Sequence, residues 1–199
     1  NGTTGWDECD AVAIGVQPSG DVIVAGNALD AVWPRVDVRA FGPDGTPRWE
    51  WRGSFGAYVT GYTQGMALGP DGSVYLYGVT DRFASFWPRI IALDASGSFR
   101  WDVGLPFGAE VAGMDFDSAA GVADGGNCIA VDGLDRISVG GWSRVLPPGP
   151  RDATLFRFDP NGAFLGRSIP SVQSAGQDGS FEHLHVTTRN DVVALGSST

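Results

Sequence analysis

Val16-Gln17-Pro18-Ser19-Gly20-Asp21-Val22-Ile23-Val24-Ala25-Gly26 decides how this chain is read, because the pattern returns three times. The copies are Leu68-Gly-Pro-Asp-Gly-Ser-Val-Tyr-Leu-Tyr-Gly78, Val131-Asp-Gly-Leu-Asp-Arg-Ile-Ser-Val-Gly-Gly141 and Val186-Thr-Thr-Arg-Asn-Asp-Val-Val-Ala-Leu-Gly196, all without gaps. Each starts apolar, crosses a polar turn of Gly, Asp or Asn, and resumes apolar at the sixth and eighth following positions. Each ends in Gly at the tenth. Alternation around a turn signal predicts a β-hairpin.

A second hairpin follows in three of the four. It spans Phe41 to Trp49 with its turn at Gly45, Leu93 to Trp101 with its turn at Gly97, and Phe158 to Leu165 with its turn at Gly162. A complete unit is therefore a four-stranded antiparallel meander. The closing glycines recur at intervals of 52, 63 and 55 residues. One small meander cannot bury both of its faces, and radial packing of several does so. No segment carries helical periodicity with caps. The expectation is an all-β, single-domain β-propeller over residues 1–199, with blades near 9–51, 64–103, 126–167 and 181–199. Asn1-Gly-Thr-Thr-Gly-Trp6 matches the Gly-x-x-x-Trp of the fourth strands, so residues 1–7 are expected to complete the last blade. Three units are then complete and one is split between the termini. A ring closed within one chain, two chains associating through open blade edges, and a segment of a longer propeller all fit this frame.

At the hairpin of residues 16–26 and its copies, the chain resembles bacterial β-propeller repeat proteins of the SBBP type. Arg89-Ile-Ile-Ala-Leu-Asp-Ala-Ser-Gly-Ser-Phe-Arg-Trp101 is also similar to a PQQ-like repeat, with its Asp, Gly and Trp at matching spacing. The third unit departs from that pattern, with Gly166 where the Trp should stand. The resemblance implies a bacterial protein that is extracellular, on the cell surface or in the periplasm, and that serves as a binding or scaffolding module.

Composition limits the function. The chain has 199 residues, 43% of them hydrophobic, which suits a packed core more than disorder. Its net charge of −10 disfavours nucleic acid and anionic membranes. No run approaches the ~18 apolar residues of a membrane-spanning helix, so no membrane insertion is expected. All 13 basic residues are Arg.

Meander topology sorts the connections onto two faces. The turns inside hairpins are short. The links between hairpins (about 27–35, 80–88 and 142–151) and between units (52–63, 104–125 and 168–181) are long and share the other face, where function is expected. That face is aromatic. Trp33-Pro34-Arg35 recurs as Trp87-Pro88-Arg89, with Trp142, Phe83, Phe86 and Phe107 nearby. Trp33, Arg35, Trp87, Arg89 and Trp142 are the expected ligand-binding residues, for a carbohydrate or a protein. The alternative is that the tryptophans plug the spaces between blades and the arginines sit in structural ion pairs.

His183 and His185 alternate along one strand, so they share a face. By alignment they replace Ala13 and Gly15, and they are weak candidates for a metal site. Cys9 and Cys128 are candidates for one disulfide. No cofactor is expected. Calcium is the alternative, but no Asp-x-Asp-x-Asp-Gly loop occurs and turn chemistry accounts for most of the aspartates. No nucleophile elbow, phosphate loop or zinc-protease signature is present. The leading expectation is a non-catalytic binding or scaffold module. A hydrolase or lyase using loop carboxylates such as Glu110 and Asp115, with or without a metal, is one alternative. A purely structural segment of a larger propeller is another.

Overall fold

The computed structural model describes residues 9–30, 33–55, 61–82, 85–105, 128–143, 152–168 and 179–198. The first sheet holds β1 (Cys9–Val16), β2 (Val22–Asp30), β3 (Trp33–Phe41) and β4 (Pro47–Gly53). The second holds β5 (Gly61–Leu68), β6 (Val74–Arg82), β7 (Ser85–Leu93) and β8 (Phe99–Gly104). The third holds β9 (Ile129–Val131), β10 (Ile137–Ser143), β11 (Asp152–Phe158) and β12 (Phe164–Ser168). The fourth holds β13 (Gly179–Val186) and β14 (Val192–Ser198). Within each sheet, consecutive strands are antiparallel neighbours.

Both repeated hairpins form where the alternation puts them. The tight turns need left-handed backbone, and Gly20, Gly45, Gly72, Gly97 and Gly162 supply it with φ of 80–90°. The repeat also sets an irregularity that the pattern hides. The pairing of the first two strands slips at Val12, Gln64 and Glu182, the same repeat position each time. The bulge pushes a first-strand carbonyl towards the tenth-position Gly. A β-carbon on Gly26 would collide with the Asp10 carbonyl, and one on Gly78 with the Tyr62 carbonyl. That close approach explains the closing Gly of the first two copies.

The sheets stack face to face in a row. Ile23, Ala25, Val36, Val38 and Ala40 of the first sheet pack on Met66, Val74, Leu76, Ile91 and Leu93 of the second. The opposite face of the second sheet, with Tyr75, Tyr77, Ile90 and Ala92, packs on Ile137, Val139, Phe156 and Phe158 of the third. Ala130 and Leu155 then meet Leu184 of the fourth. The second sheet is therefore buried on both sides, as its near-continuous apolar strands require.

Side chains also fasten each seam. The Trp49 indole N–H donates to the Ala95 carbonyl at 3.2 Å, and that of Trp101 to the Pro160 carbonyl at 3.1 Å. Each tryptophan lies against the left-handed glycine of the next sheet's turn, Gly97 or Gly162. At the other end of the first seam, the Asn27 amide donates to the Thr63 carbonyl at 3.1 Å and accepts from the Thr63 N–H at 2.7 Å. Asn27→Ala leaves two partly buried backbone groups unpaired. We expect it to lower unfolding free energy by about 2 kcal/mol, read from urea denaturation.

The β-propeller expected from the repeats is corrected by this architecture. The chain forms four separate antiparallel sheets of two to four strands, and no sheet among the described residues closes on itself. The two outer faces of the row are exposed: Ile14 is 73% and Val16 65% accessible on the first sheet, Leu195 66% on the fourth. The physical reason lies at these faces. Arg39 stands on the first sheet where Ile91 receives a neighbour on the second. A β-carbon on Gly15 would already stand 2.9 Å from Leu68 of the next sheet, yet His185 occupies the equivalent place on the fourth. A hairpin repeat encodes docking between neighbours, whereas closure needs a matched first and last face. Residues 1–7, expected to complete the last blade, lie outside the described residues.

Candidate functional site

The strand registers place the aromatic segments at one end of the sheets, away from the short turns. Trp33 pairs with Asp30 at the start of β3, Trp87 pairs with Thr80 in β7, and Trp142 pairs with Ala153 in β10. The side chains of these three tryptophans lie outside the described residues, as do Phe83, Phe107, Glu110 and Asp115. Arg35 is exposed. Arg89 is different: its Nε donates to Asp102 Oδ1 at 2.7 Å across β7 and β8, with only 22% of its side chain accessible.

Register also separates the two Trp-Pro-Arg stretches. Arg89 pairs with Gly78, while Gly26, the equivalent glycine, pairs with Asp37. The tripeptides are therefore offset by two residues, and Trp87 occupies the place of Arg35. Asp37 itself is held by Arg39 at 2.8 Å and Arg52 at 3.6 Å. Both sheets thus keep an ion pair between their third and fourth strands, with the signs exchanged.

His183 and His185 are both exposed on the outer face of the fourth sheet, opposite Leu195 and Val193. Among the described residues, no three His, Cys, Asp or Glu side chains gather to hold a metal. Cys128 is buried, and its sulfur donates to the Phe181 carbonyl at 3.1 Å. The Cys9 side chain, the other half of the expected bridge, lies outside the described residues.

The short-turn end carries concave surface that sequence reasoning passed over. An open cavity of about 350 Å³ is lined by Val16, Gln17 and Pro18, by Leu68, Gly69 and Pro70, and by Val131, Asp132 and Gly133. These are the same three repeat positions from three sheets. The Gln17 amide crosses the first seam to the Gly72 carbonyl. Asp132 is 4% accessible, and burial alone would raise its pKa. Hydrogen bonds from the Leu134 and Arg136 backbone and from the Arg136 guanidinium outweigh that and hold it below the usual carboxylate range.

Beside it, a groove of about 390 Å³ is lined by Asp71, Ser73, Asp94, Ala95, Ser96 and Arg100. Arg100 donates to Ser73 Oγ at 3.1 Å and to the Pro160 carbonyl at 3.3 Å, so it ties the second sheet to the third. Ser73 in turn donates through its N–H and Oγ to Asp71, each at 2.8 Å. The sequence signal for this corner was Asp135, which stands where the first two repeats have Gly20 and Gly72.

No protein-family model matches the chain, and no curated protein matches it. Among solved structures, it is similar to a protein of unknown function from Bacteroides caccae, with a TM-score of 0.51 and 11% identity. That likeness covers 94% of this chain and 53% of the other, so the chain spans about half the length of that relative. It is also similar to an endo-arabinase from Bacteroides thetaiotaomicron, with a TM-score of 0.55 and 11% identity over 100% of this chain and 78% of the other. At this identity the likeness is one of fold alone.

Proposed function

We propose that this chain is a non-catalytic, extracellular carbohydrate-binding domain that engages a polysaccharide at the loop end of its sheets. One observation carries the reading: the registers bring the backbones of Trp33, Trp87 and Trp142 to that same end, with Arg35 exposed beside Trp33. Indole rings stack on sugar faces, and a guanidinium donates to ring and hydroxyl oxygens. Arg89, bound to Asp102, serves as a structural ion pair that stiffens the sheet beneath. The endo-arabinase neighbour makes arabinose polymers the first ligand to try.

The test is affinity electrophoresis and calorimetry with arabinan. Trp33→Ala and Trp87→Ala together are expected to weaken binding at least tenfold, about 1.4 kcal/mol or more. Arg89→Gln should change affinity little. Unchanged affinity in the tryptophan double variant would reject the site. Release of reducing ends by the pure protein would replace binding with hydrolysis.

A further inference from the structure

The fifth position of each first-hairpin turn requires left-handed backbone. Gly20, Gly72, Asp135 and Asn190 hold it, with φ of 90°, 85°, 58° and 62°. The two with side chains reach back to the preceding sheet. Asn190 Oδ1 accepts from the Gly133 N–H at 3.0 Å. Asp135 reaches towards the second sheet in the same way, but the residue in Gly133's place there is Pro70, which has no N–H to give. Asp135 Oδ1 is buried with no hydrogen-bond partner.

What it faces is another carboxylate. A β-carbon built on Gly69 would stand 2.6 Å from Asp135 Oδ1 and 2.9 Å from Asp71 Oδ1. The two oxygens, one from each sheet, thus crowd the same side of Gly69. The Tyr75 ring comes within 3.3 Å of the same point, the residue is fully buried, and its hydroxyl also has no partner. Arg100 is the cation facing this pair. Asp132, the next carboxylate, is held by Arg136 at 2.6 Å. Two carboxylates against one guanidinium leave one negative charge uncompensated in the seam, and such a charge is costly unless neutralised.

We infer that the seam between the second and third sheets is a proton-binding site, in which one proton carried by Asp135 and presented to Asp71 tightens the docking of the two sheets in mild acid. The proton comes from solvent and converts the Asp135 carboxylate to the acid. Its O–H then donates towards Asp71 Oδ1, and no other bond changes. Burial first, and the like charge of Asp71 second, hold the Asp135 carboxyl above its ordinary range against the opposing pull of Arg100. Between the unfolded value near 3.9 and the raised folded value, the folded chain binds more protons than the unfolded one. The stabilisation is therefore complete below the unfolded value and is lost as pH rises through the folded one.

The experiment is thermal unfolding of the whole chain from pH 4 to 8, for the native protein, Asp135→Asn and Asp71→Asn, with and without calcium. Aspartates whose pKa values are lowered, such as Asp44 and Asp94, lose their contribution in acid equally in all three proteins and cancel in the difference. The native protein is expected to gain a few degrees on Asp135→Asn between pH 7 and pH 4. Asp71→Asn should shrink that pH dependence. The carboxyl carbon resonance of Asp135 should titrate with a midpoint above about 4. Parallel native and Asp135→Asn profiles, or an ordinary midpoint, would overturn the inference. So would a calcium-dependent rise at pH 7 that Asp135→Asn abolishes, since the occupant would then be a metal.

Discussion

Gly78→Ala is expected to lower unfolding free energy by at least ~3 kcal/mol, among the largest effects of any single methyl added to this chain. The new β-carbon would sit well inside 3.0 Å of both the Tyr62 carbonyl and the Phe55 ring. Phe55 is fully buried and the carbonyl is backbone, so neither can swing away cheaply. The first strand would have to separate from the second at its bulge. Gly45→Ala is the control. Its φ of 80° is positive, which that of Gly78 is not, and nothing lies within 4 Å of the added carbon, so it carries only backbone strain, about 1 kcal/mol. Urea denaturation of both variants reads the difference. Equal losses would mean that the crowding around Gly78 relaxes at little cost and that the close approach does not fix the glycine there.

The second large effect is expected at Trp101. Its ring packs 6.0 Å from Tyr75, lies against Gly162 with ring atoms 3.1 Å from where a β-carbon would be, and donates to Pro160. Trp101→Ala removes all three and opens a cavity between the second and third sheets, at a cost of about 3 kcal/mol. Trp101→Phe keeps most of the stacking and loses the hydrogen bond, for about 1 kcal/mol. Trp49 does the same work one seam earlier, over Gly97. The two tryptophans share no partner, so their losses should add within a few tenths of a kcal/mol in the double variant. A strong departure from additivity would show that the two seams open together.

These residues also show what was legible in the sequence. The hairpins were, because alternation around Gly, Asp and Asn is a local signal and each turn needs φ above zero. The Gly-x-x-x-Trp spacing pointed to the fourth-strand tryptophans, although not to their task of reaching the next sheet. The bulge at Arg48, Arg100 and Leu165, one residue before the Trp position, is part of that task. Gly166, the third unit's missing tryptophan, makes sense only in the structure: among the described residues the fourth sheet has one hairpin and offers no second turn to receive an indole. Closure was not legible, because it depends on how Arg39 and His185 meet surfaces far away in sequence. Nor was the offset of Trp33-Pro34-Arg35 from Trp87-Pro88-Arg89. The tripeptides repeat at 54 residues while the hairpins repeat at 52, and only strand pairing reveals which spacing governs position. The Asp71 and Asp135 corner escaped for a similar reason, since it arises between two turns 64 residues apart.

The measurement that bears most directly on the proposed function is an arabinan titration followed by the indole N–H resonances of the seven tryptophans. The expected result is movement of Trp33, Trp87 and Trp142 with a common saturation curve, while Trp49 and Trp101, stapled at the opposite end, stay still. Movement confined to Trp49 and Trp101, or no movement at saturating polysaccharide, would contradict it.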